Sequence, residues 1–142
     1  MDAMALYQKW LTDFASDAET VADLTAIRDN PAEIEDRFYR ELEFGTAGMR
    51  GVLGAGTNRL NIYNVRRVTR ALAKYILSTP DGAEKGVAIA YDSRNKSDVF
   101  AKEAALVLCA AGVKAFLFES LRPVPVLSFT VRHLKCIAGI VI

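Results

Sequence analysis

From Gly86 onward the sequence alternates apolar runs with amphipathic stretches, and this order constrains the fold more than any other feature. The spacing predicts strands over 87–91, 113–118 and 137–142, separated by helices over 97–111 and about 124–134. Strand, helix, strand, helix, strand is the pattern of a parallel α/β unit. The apolar runs are short, nearly continuous and rich in β-branched residues, as expected of strands covered by helices on both faces. Ser97 suits the N-cap of the first of these helices, and Gly112 stands where that helix would end in a left-handed residue.

The N-terminal part has a different rhythm. Residues 4–40 read as helical: Leu6, Trp10, Leu11 and Phe14 share one face, and Val21, Leu24 and Ile27 form a second stripe. Asp29-Asn30-Pro31 breaks the pattern. Asn30 can cap a third helix with Pro31 in its first turn and Glu33 completing a box-like pattern, and Ile34 and Phe38 form its buried side. A glycine-rich stretch over 45–56 follows. Asn64 then suits the cap of a helix carrying Val65, Val68, Leu72, Tyr75 and Ile76, and residues 80–85 read as a turn. The expected organisation is a helical extension over 1–40 followed by an α/β domain over 41–142.

With 51% hydrophobic and 25% charged residues, the 142-residue chain has enough apolar material for a core. Its 18 Lys+Arg are interspersed with 17 Asp+Glu, and the net charge of +1 creates no long-range field for nucleic acid or an acidic membrane. No signal-peptide pattern opens the sequence, and no apolar run approaches the roughly 20 residues of a membrane span. A cytoplasmic setting and a small-molecule or protein partner are the expectation. Cys109 and Cys136 lack metal-ligand or redox spacing and read as small buried hydrophobes.

Ligands of open α/β sheets bind beyond the carboxyl ends of the strands, which puts the loops after Tyr91, Phe118 and Ile142 on one rim. The first of these loops carries Asp92-Ser93-Arg94, and the second Glu119-Ser120-Leu121-Arg122-Pro123. Arg94 and Arg122, joined by Arg50 from the glycine-rich stretch, would suit a phosphorylated ligand, because each guanidinium presents paired N–H donors to phosphate oxygens. Asp92 and Arg94 equally suit a helix cap or a surface ion pair. Phe44-Gly45-Thr46-Ala47-Gly48-Met49-Arg50-Gly51 combines backbone freedom, a hydroxyl and a cation, a composition fitted to an anion or simply to a tight turn. It is neither a Walker A loop nor a dinucleotide fingerprint. His133, the single histidine, reads as a surface or half-buried helical residue, and no metal-ligand spacing accompanies it.

Four segments resemble the α-D-phosphohexomutases, the phosphoglucomutase and phosphomannomutase superfamily. Residues 44–51 are similar to the family's opening active-site motif. The second signature, an Asp-x-Arg loop leading into a helix, is matched by Tyr91-Asp92-Ser93-Arg94-Asn95-Lys96-Ser97 with Phe100 and Ala101. Arg122-Pro123-Val124-Pro125-Val126-Leu127 resembles its proline-containing loop, and residues 138–142 resemble the strand that delivers the catalytic serine. The helical extension and the Gly-Thr-Ala-Gly-Met-Arg-Gly wording look most like the phosphoglucomutase and phosphopentomutase branch.

The resemblance implies the first of four domains, in an enzyme that interconverts sugar 1-phosphates and 6-phosphates. A phosphoserine donates its phosphoryl group, a sugar bisphosphate is the intermediate and activator, and Mg²⁺ supports transfer. It implies that Thr46, Arg50 and Arg122 bind phosphate, and that Arg50, Asp92 and Arg94 support catalysis. The serine loop, Thr-Ala-Ser-His-Asn-Pro in the family, is expected after Ile142. The metal-binding aspartates, the sugar-selecting loop and a further phosphate loop belong to the other domains, which would be partners of this one. On this reading the 142 residues alone are inactive, no metal ligand lies among them, and the choice among glucose, mannose and pentose phosphates is made elsewhere. Two other readings stand beside it: a stand-alone module for a phosphorylated metabolite, and an assembly domain that self-associates through apolar surface.

Overall fold

The computed structural model describes residues 2–46 and 48–142. The chain divides into two compact units, Met1–Asn64 and Val65–Ile142.

The first unit opens with three helices, α1 (Ala3–Asp13), α2 (Ala18–Ala26) and α3 (Pro31–Phe38). Each has a side-chain N-cap. Asp2 accepts from the Met4 N–H at 3.2 Å, Asp17 from those of Glu19 and Thr20, and Asn30 from that of Glu33 at 3.2 Å. The expected third-helix start at Asn30-Pro31 is therefore realised.

The helices bury Tyr7, Trp10, Leu24, Ile27, Ile34 and Phe38 in one cluster. Such side chains stabilise by about 1.5–3 kcal/mol each when fully withdrawn from water. Trp10 is the hub, packing edge-on against Phe14, Phe38 and Tyr63 at 4.9, 5.7 and 5.5 Å between ring centroids. The Tyr63 hydroxyl donates to Asp17 at 2.7 Å. Burial pushes the Asp17 carboxyl up, but this bond and those from Thr20 and Glu19 outweigh it and hold the carboxyl below its ordinary range.

A two-stranded antiparallel hairpin, β1 (Phe44–Gly45) and β2 (Gly48–Met49), follows. Helix α4 (Ile62–Leu77) then starts one turn before the expected cap: Asn61, not Asn64, accepts the Asn64 N–H at 3.0 Å. Asn64 is instead buried, and its amide donates to the carbonyls of Thr57 and Arg59. The buried stripe of α4 runs Val65, Thr69, Ala73, Ile76. Tyr75, expected on that stripe, is 72% exposed, because it lies a quarter turn from Ile76.

In the second unit the segment expected as a turn contains a short helix, α5 (Gly82–Lys85). The strands β3 (Val87–Ala90), β4 (Ala115–Leu117) and β5 (Ala138–Val141) form a parallel sheet in the order β4-β3-β5. Helix α6 (Ser97–Ala110) links β3 to β4, and α7 (Val124–His133) links β4 to β5. The chain thus moves outward from β3, then crosses back past it. Right-handed crossovers running in opposite directions lay their helices on opposite faces. In agreement, Leu127 and Val131 of α7 pack with Ala88 and Ala90, and strand alternation points Val87 and Ile89 to the other side.

The fold is the expected α/β arrangement preceded by N-terminal helices. Only the central strand is wholly buried. β4 and β5 are part-exposed edge strands, so the expectation of full coverage holds for β3 alone. Gly139 lets α7 sit directly on β5, since a Cβ there would come within 2.8 Å of Val131 Cγ2.

Two local expectations also change. Lys96, at φ +64, occupies the N-cap position of α6, and Ser97 is its first helical residue. Cys109 is exposed and Cys136 half-buried, because α6 buries the stripe Phe100, Ala101, Ala104 and Leu108 and leaves position 109 off it. Gly112 ends α6 with φ +81, as its position predicts.

Candidate active-site rim

The carboxyl end of β5 and the loops after β3 and β4 are tied to one another by hydrogen bonds, most of them between backbone groups. Asp92 N–H donates to the Ile142 carbonyl at 2.9 Å, and Ile142 N–H to the Ala90 carbonyl at 3.0 Å, joining the ends of β3 and β5. On the other side, Arg122 N–H donates to the Tyr91 carbonyl at 3.0 Å and the Tyr91 hydroxyl to the Glu119 carbonyl at 3.1 Å, joining the β3 and β4 loops. Residues 91–94, 119–122 and 142 therefore form one rim, where ligands of such sheets bind.

Asp92 organises the first loop. Its Oδ1 accepts the Arg94 backbone N–H at 2.9 Å, an Asx turn, and the Ser97 hydroxyl at 3.1 Å, while Oδ2 accepts Arg94 Nε at 2.8 Å. The Arg94 N–H, with the Ser97 hydroxyl and the Arg94 guanidinium, holds the Asp92 carboxyl below its ordinary range despite some desolvation. A carboxylate engaged three times and kept ionised is an orienting group rather than a proton acceptor. Arg94 is 73% exposed on its side chain, and its terminal nitrogens have no protein partner among the described residues. Asp92 and Arg94 thus form the ion pair foreseen as one alternative, and Asp92 also fixes the start of α6 through Ser97. Ser97 is buried and belongs to this site in a way its expected role as a cap did not suggest.

Arg122 is exposed, and its Nη1 donates to the Ser120 hydroxyl at 2.5 Å and to the Leu121 carbonyl at 2.9 Å. It stands on the same rim as Asp92 and Arg94.

Thr46 and Arg50 belong to the first unit. Thr46 is exposed at the tip of the β1–β2 hairpin, and Arg50 is exposed immediately after β2. Gly48 supplies the positive φ, +92, that the hairpin requires. Ala47 lies outside the described residues. Among those described, no hydrogen bond or ion pair engages the Arg50 side chain, and no group of three or more His, Cys, Asp or Glu is placed to hold a metal ion. His133 is exposed and stacks on Phe129 at 5.4 Å.

Sequence reasoning missed the charged network beneath the glycine-rich stretch. Arg59, almost fully buried, pairs with Asp36 and Glu33, and Arg37 pairs with Glu33 and Asp23 at 2.8 Å each. The Arg37 guanidinium keeps the Glu33 carboxyl below its ordinary range. Only the Glu33–Arg37 spacing, one helical turn, was visible in the sequence.

Residues 41–142 match the family Phosphoglucomutase/phosphomannomutase, alpha/beta/alpha domain I. Over 108 residues the chain is 40% identical to a phosphoglucomutase of Staphylococcus haemolyticus, covering 76% of this chain and 19% of that protein. Over 105 residues it is 44% identical to a phosphoglucomutase of Staphylococcus saprophyticus, covering 74% and 19%. A human phosphopentomutase is 35% identical over 120 residues, covering 80% and 20%. The chain therefore spans about a fifth of the length of the curated relatives it matches. No solved structure matches it. No helix among the described residues is long and apolar enough to cross a membrane. The rim of strand-end loops and the match over residues 41–142 lead to one assignment: the chain belongs to the phosphoglucomutase/phosphomannomutase family, as its α/β/α domain I.

Proposed function

We propose that this chain is the phosphate-handling first domain of a phosphoglucomutase-like enzyme that interconverts sugar 1-phosphates and 6-phosphates through a phosphoserine. Residues 1–40 form its helical extension and residues 41–142 the domain itself. The observation that carries this reading is the rim on which Asp92 fixes Arg94 and whose neighbouring loop carries Arg122, with the terminal nitrogens of Arg94 left for a ligand. Paired guanidinium donors match the equatorial oxygens of a phosphoryl group and the charge that develops on them during transfer.

In this reading Arg94 and Arg122 bind and orient phosphate and Asp92 orients Arg94 and the start of α6, while Thr46 and Arg50, on the first unit, are assigned a phosphate-binding hydroxyl and cation. A sugar bisphosphate is the reaction intermediate, and further domains of the same enzyme complete the cleft in the cytoplasm. Mg²⁺, when bound, would neutralise charge on the phosphoryl group, and its ligands are assigned to those further domains. None of the steps given to this chain's residues depends on the ion.

Titration of the 142-residue polypeptide with inorganic phosphate and with glucose 1-phosphate, followed by NMR, tests the reading. Shifts at Arg94 and Arg122 with millimolar affinity and no turnover are expected. A stand-alone binding module would give micromolar affinity, and turnover by the isolated polypeptide would overturn the proposal that the nucleophile lies outside these residues. In an enzyme carrying this domain, exposure to sugar bisphosphate should add one phosphate to a serine by mass; an unmodified, active enzyme would exclude the phosphoserine route.

A further inference from the structure

Both ends of the Arg50 loop rest on one ribbon, residues 55–60. On the incoming side Leu42 N–H donates to the Thr57 carbonyl at 2.8 Å. On the outgoing side Leu60 N–H donates to Val52 at 2.8 Å, and Gly54 N–H to Leu60 at 3.3 Å. Gly51 lies so near Leu42 that a Cβ would come within 2.8 Å of Leu42 Cδ1. The location of Arg50 follows the ribbon.

The ribbon is in turn gripped by α2 and α3. Asp23 Oδ2 accepts the Ala55 N–H at 2.7 Å and Arg37 Nη1 at 2.8 Å, and the same Nη1 donates to the Ala55 carbonyl at 3.3 Å. One residue's N–H and C=O are thus both held by the two members of a single ion pair. Displacing Ala55 breaks charge-assisted bonds to both. The Arg37 carbonyl accepts the Asn58 N–H at 2.9 Å, and Gly56, at φ +134, brings its Cα so close that a Cβ would lie 2.8 Å from the same carbonyl oxygen. Glu33 holds Arg37 Nε at 2.8 Å; the Arg37 side chain is only 11% exposed, whereas those of Asp23 and Glu33 are 35% and 36% exposed, so the guanidinium is shielded and the carboxylates are half-buried.

We propose that Asp23 and Arg37 are positioning residues for Arg50: through Ala55 they fix the ribbon on which both ends of the phosphate-handling loop stand. The helices α2 and α3 then belong to the site's scaffold. The inference rests on the reading of Arg50 as a phosphate ligand, and the experiment separates the two.

Amide exchange on the full 142-residue chain is read for wild type, Asp23→Ala and Asp23→Asn, alone and with inorganic phosphate. In Asp23→Ala the amides of Leu42, Gly54, Ala55 and Leu60 should exchange about tenfold to a hundredfold faster, the equilibrium equivalent of a lost charged hydrogen bond. Those of Trp10 and of β3 should not change. Asp23→Asn keeps an acceptor for Ala55 and should recover part of the protection. The phosphate-induced shift of Arg50 Nε should fall in the same order. Unchanged exchange at 42, 54 and 60, or an equal rise at Trp10, would overturn the positioning role. A loosened loop in the variants with no phosphate response of Arg50 in wild type would instead retain the grip and remove the phosphate reading. If Asp23→Ala fails to fold, Asp23→Asn and Arg37→Lys supply the comparison: the first keeps an acceptor for the Ala55 N–H without the charge, the second keeps Asp23 and the charge without the guanidinium fork, and both should speed exchange at 42, 54 and 60 and leave Trp10 unchanged.

Discussion

The two units hold their functional residues in place by opposite means. In the first, Arg50 stands on a loop whose support comes from residues distant in sequence: Asp23 reaches Ala55 across 32 positions, and Arg59 reaches Asp36 across 23. In the second, Asp92 holds Arg94 and Ser97 from two and five positions away, and the rest of the rim is joined by backbone bonds. Burial follows the same division, for Arg37 and Arg59 are shielded whereas Arg94 is largely exposed. The buried guanidiniums of the first unit, Arg37 and Arg59, serve its architecture, whereas Arg94 in the second is presented to solvent. A guanidinium's setting, more than its identity, therefore separates scaffold from site.

The largest effect that could break this contrast comes from the aromatic core. Phe38→Ala should destabilise the first unit by about 3–5 kcal/mol. Trp10 is the only tryptophan, so its fluorescence reports that unit's unfolding, while exchange at β3 amides reports the second. If both units lose stability equally, they do not fold as separate cooperative blocks and the contrast is one of geometry alone.

Gly139→Ala probes the second unit in the same way. The new Cβ meets Val131 Cγ2 at 2.8 Å, and overpacking of this kind costs about 1–3 kcal/mol. Chemical denaturation should register it, with faster exchange in β5. No change would mean that α7 moves away from β5 freely.

Arg94→Ala should change stability by no more than about 0.5 kcal/mol, as for other exposed surface changes, yet abolish the phosphate response at the rim. Loss of stability as large as that of Gly139→Ala would class Arg94 with Arg37 and Arg59.

Acid titration gives the smallest effect. The Asp92 carboxyl is held below its ordinary range, so the stability it contributes is fully present above its unfolded value and is lost as pH falls through the lower, folded one. The Arg94 amide resonance should titrate with a midpoint below that of an isolated aspartate. A midpoint at or above the ordinary value would dissolve the Asx turn as an organising element.

This contrast also explains what the sequence made legible. Asn30-Pro31, the ending at Gly112 and the alternation of strands and helices after Gly86 are local signals, and they correspond to observed elements; the box-like pattern expected of Glu33 is not formed, because its carboxylate pairs with Arg37 and Arg59 and the Asn30 N–H donates to the Ile27 carbonyl. The arginine-bearing loops could be assigned to one rim because parallel topology dictates it. Errors arose where two candidates sat within one turn: Asn61 took the cap foreseen for Asn64, and Lys96 that foreseen for Ser97. Tyr75 and Cys109 look apolar in sequence but fall off the buried stripes of their helices. The grip of Asp23 and Arg37 on Ala55 was invisible, because no local pattern records a contact between residues brought together only by folding.

The backbone bonds that join the rim loops have a further consequence for affinity. Two loops and a strand end moving independently would each surrender configurational entropy when a ligand froze them. Here Asp92 is tied to Ile142 and Arg122 to Tyr91 before any ligand arrives, and Arg94 is already tethered through Nε. That ordering cost is met during folding, so a ligand at the rim has little left to immobilise beyond the outer ends of two side chains.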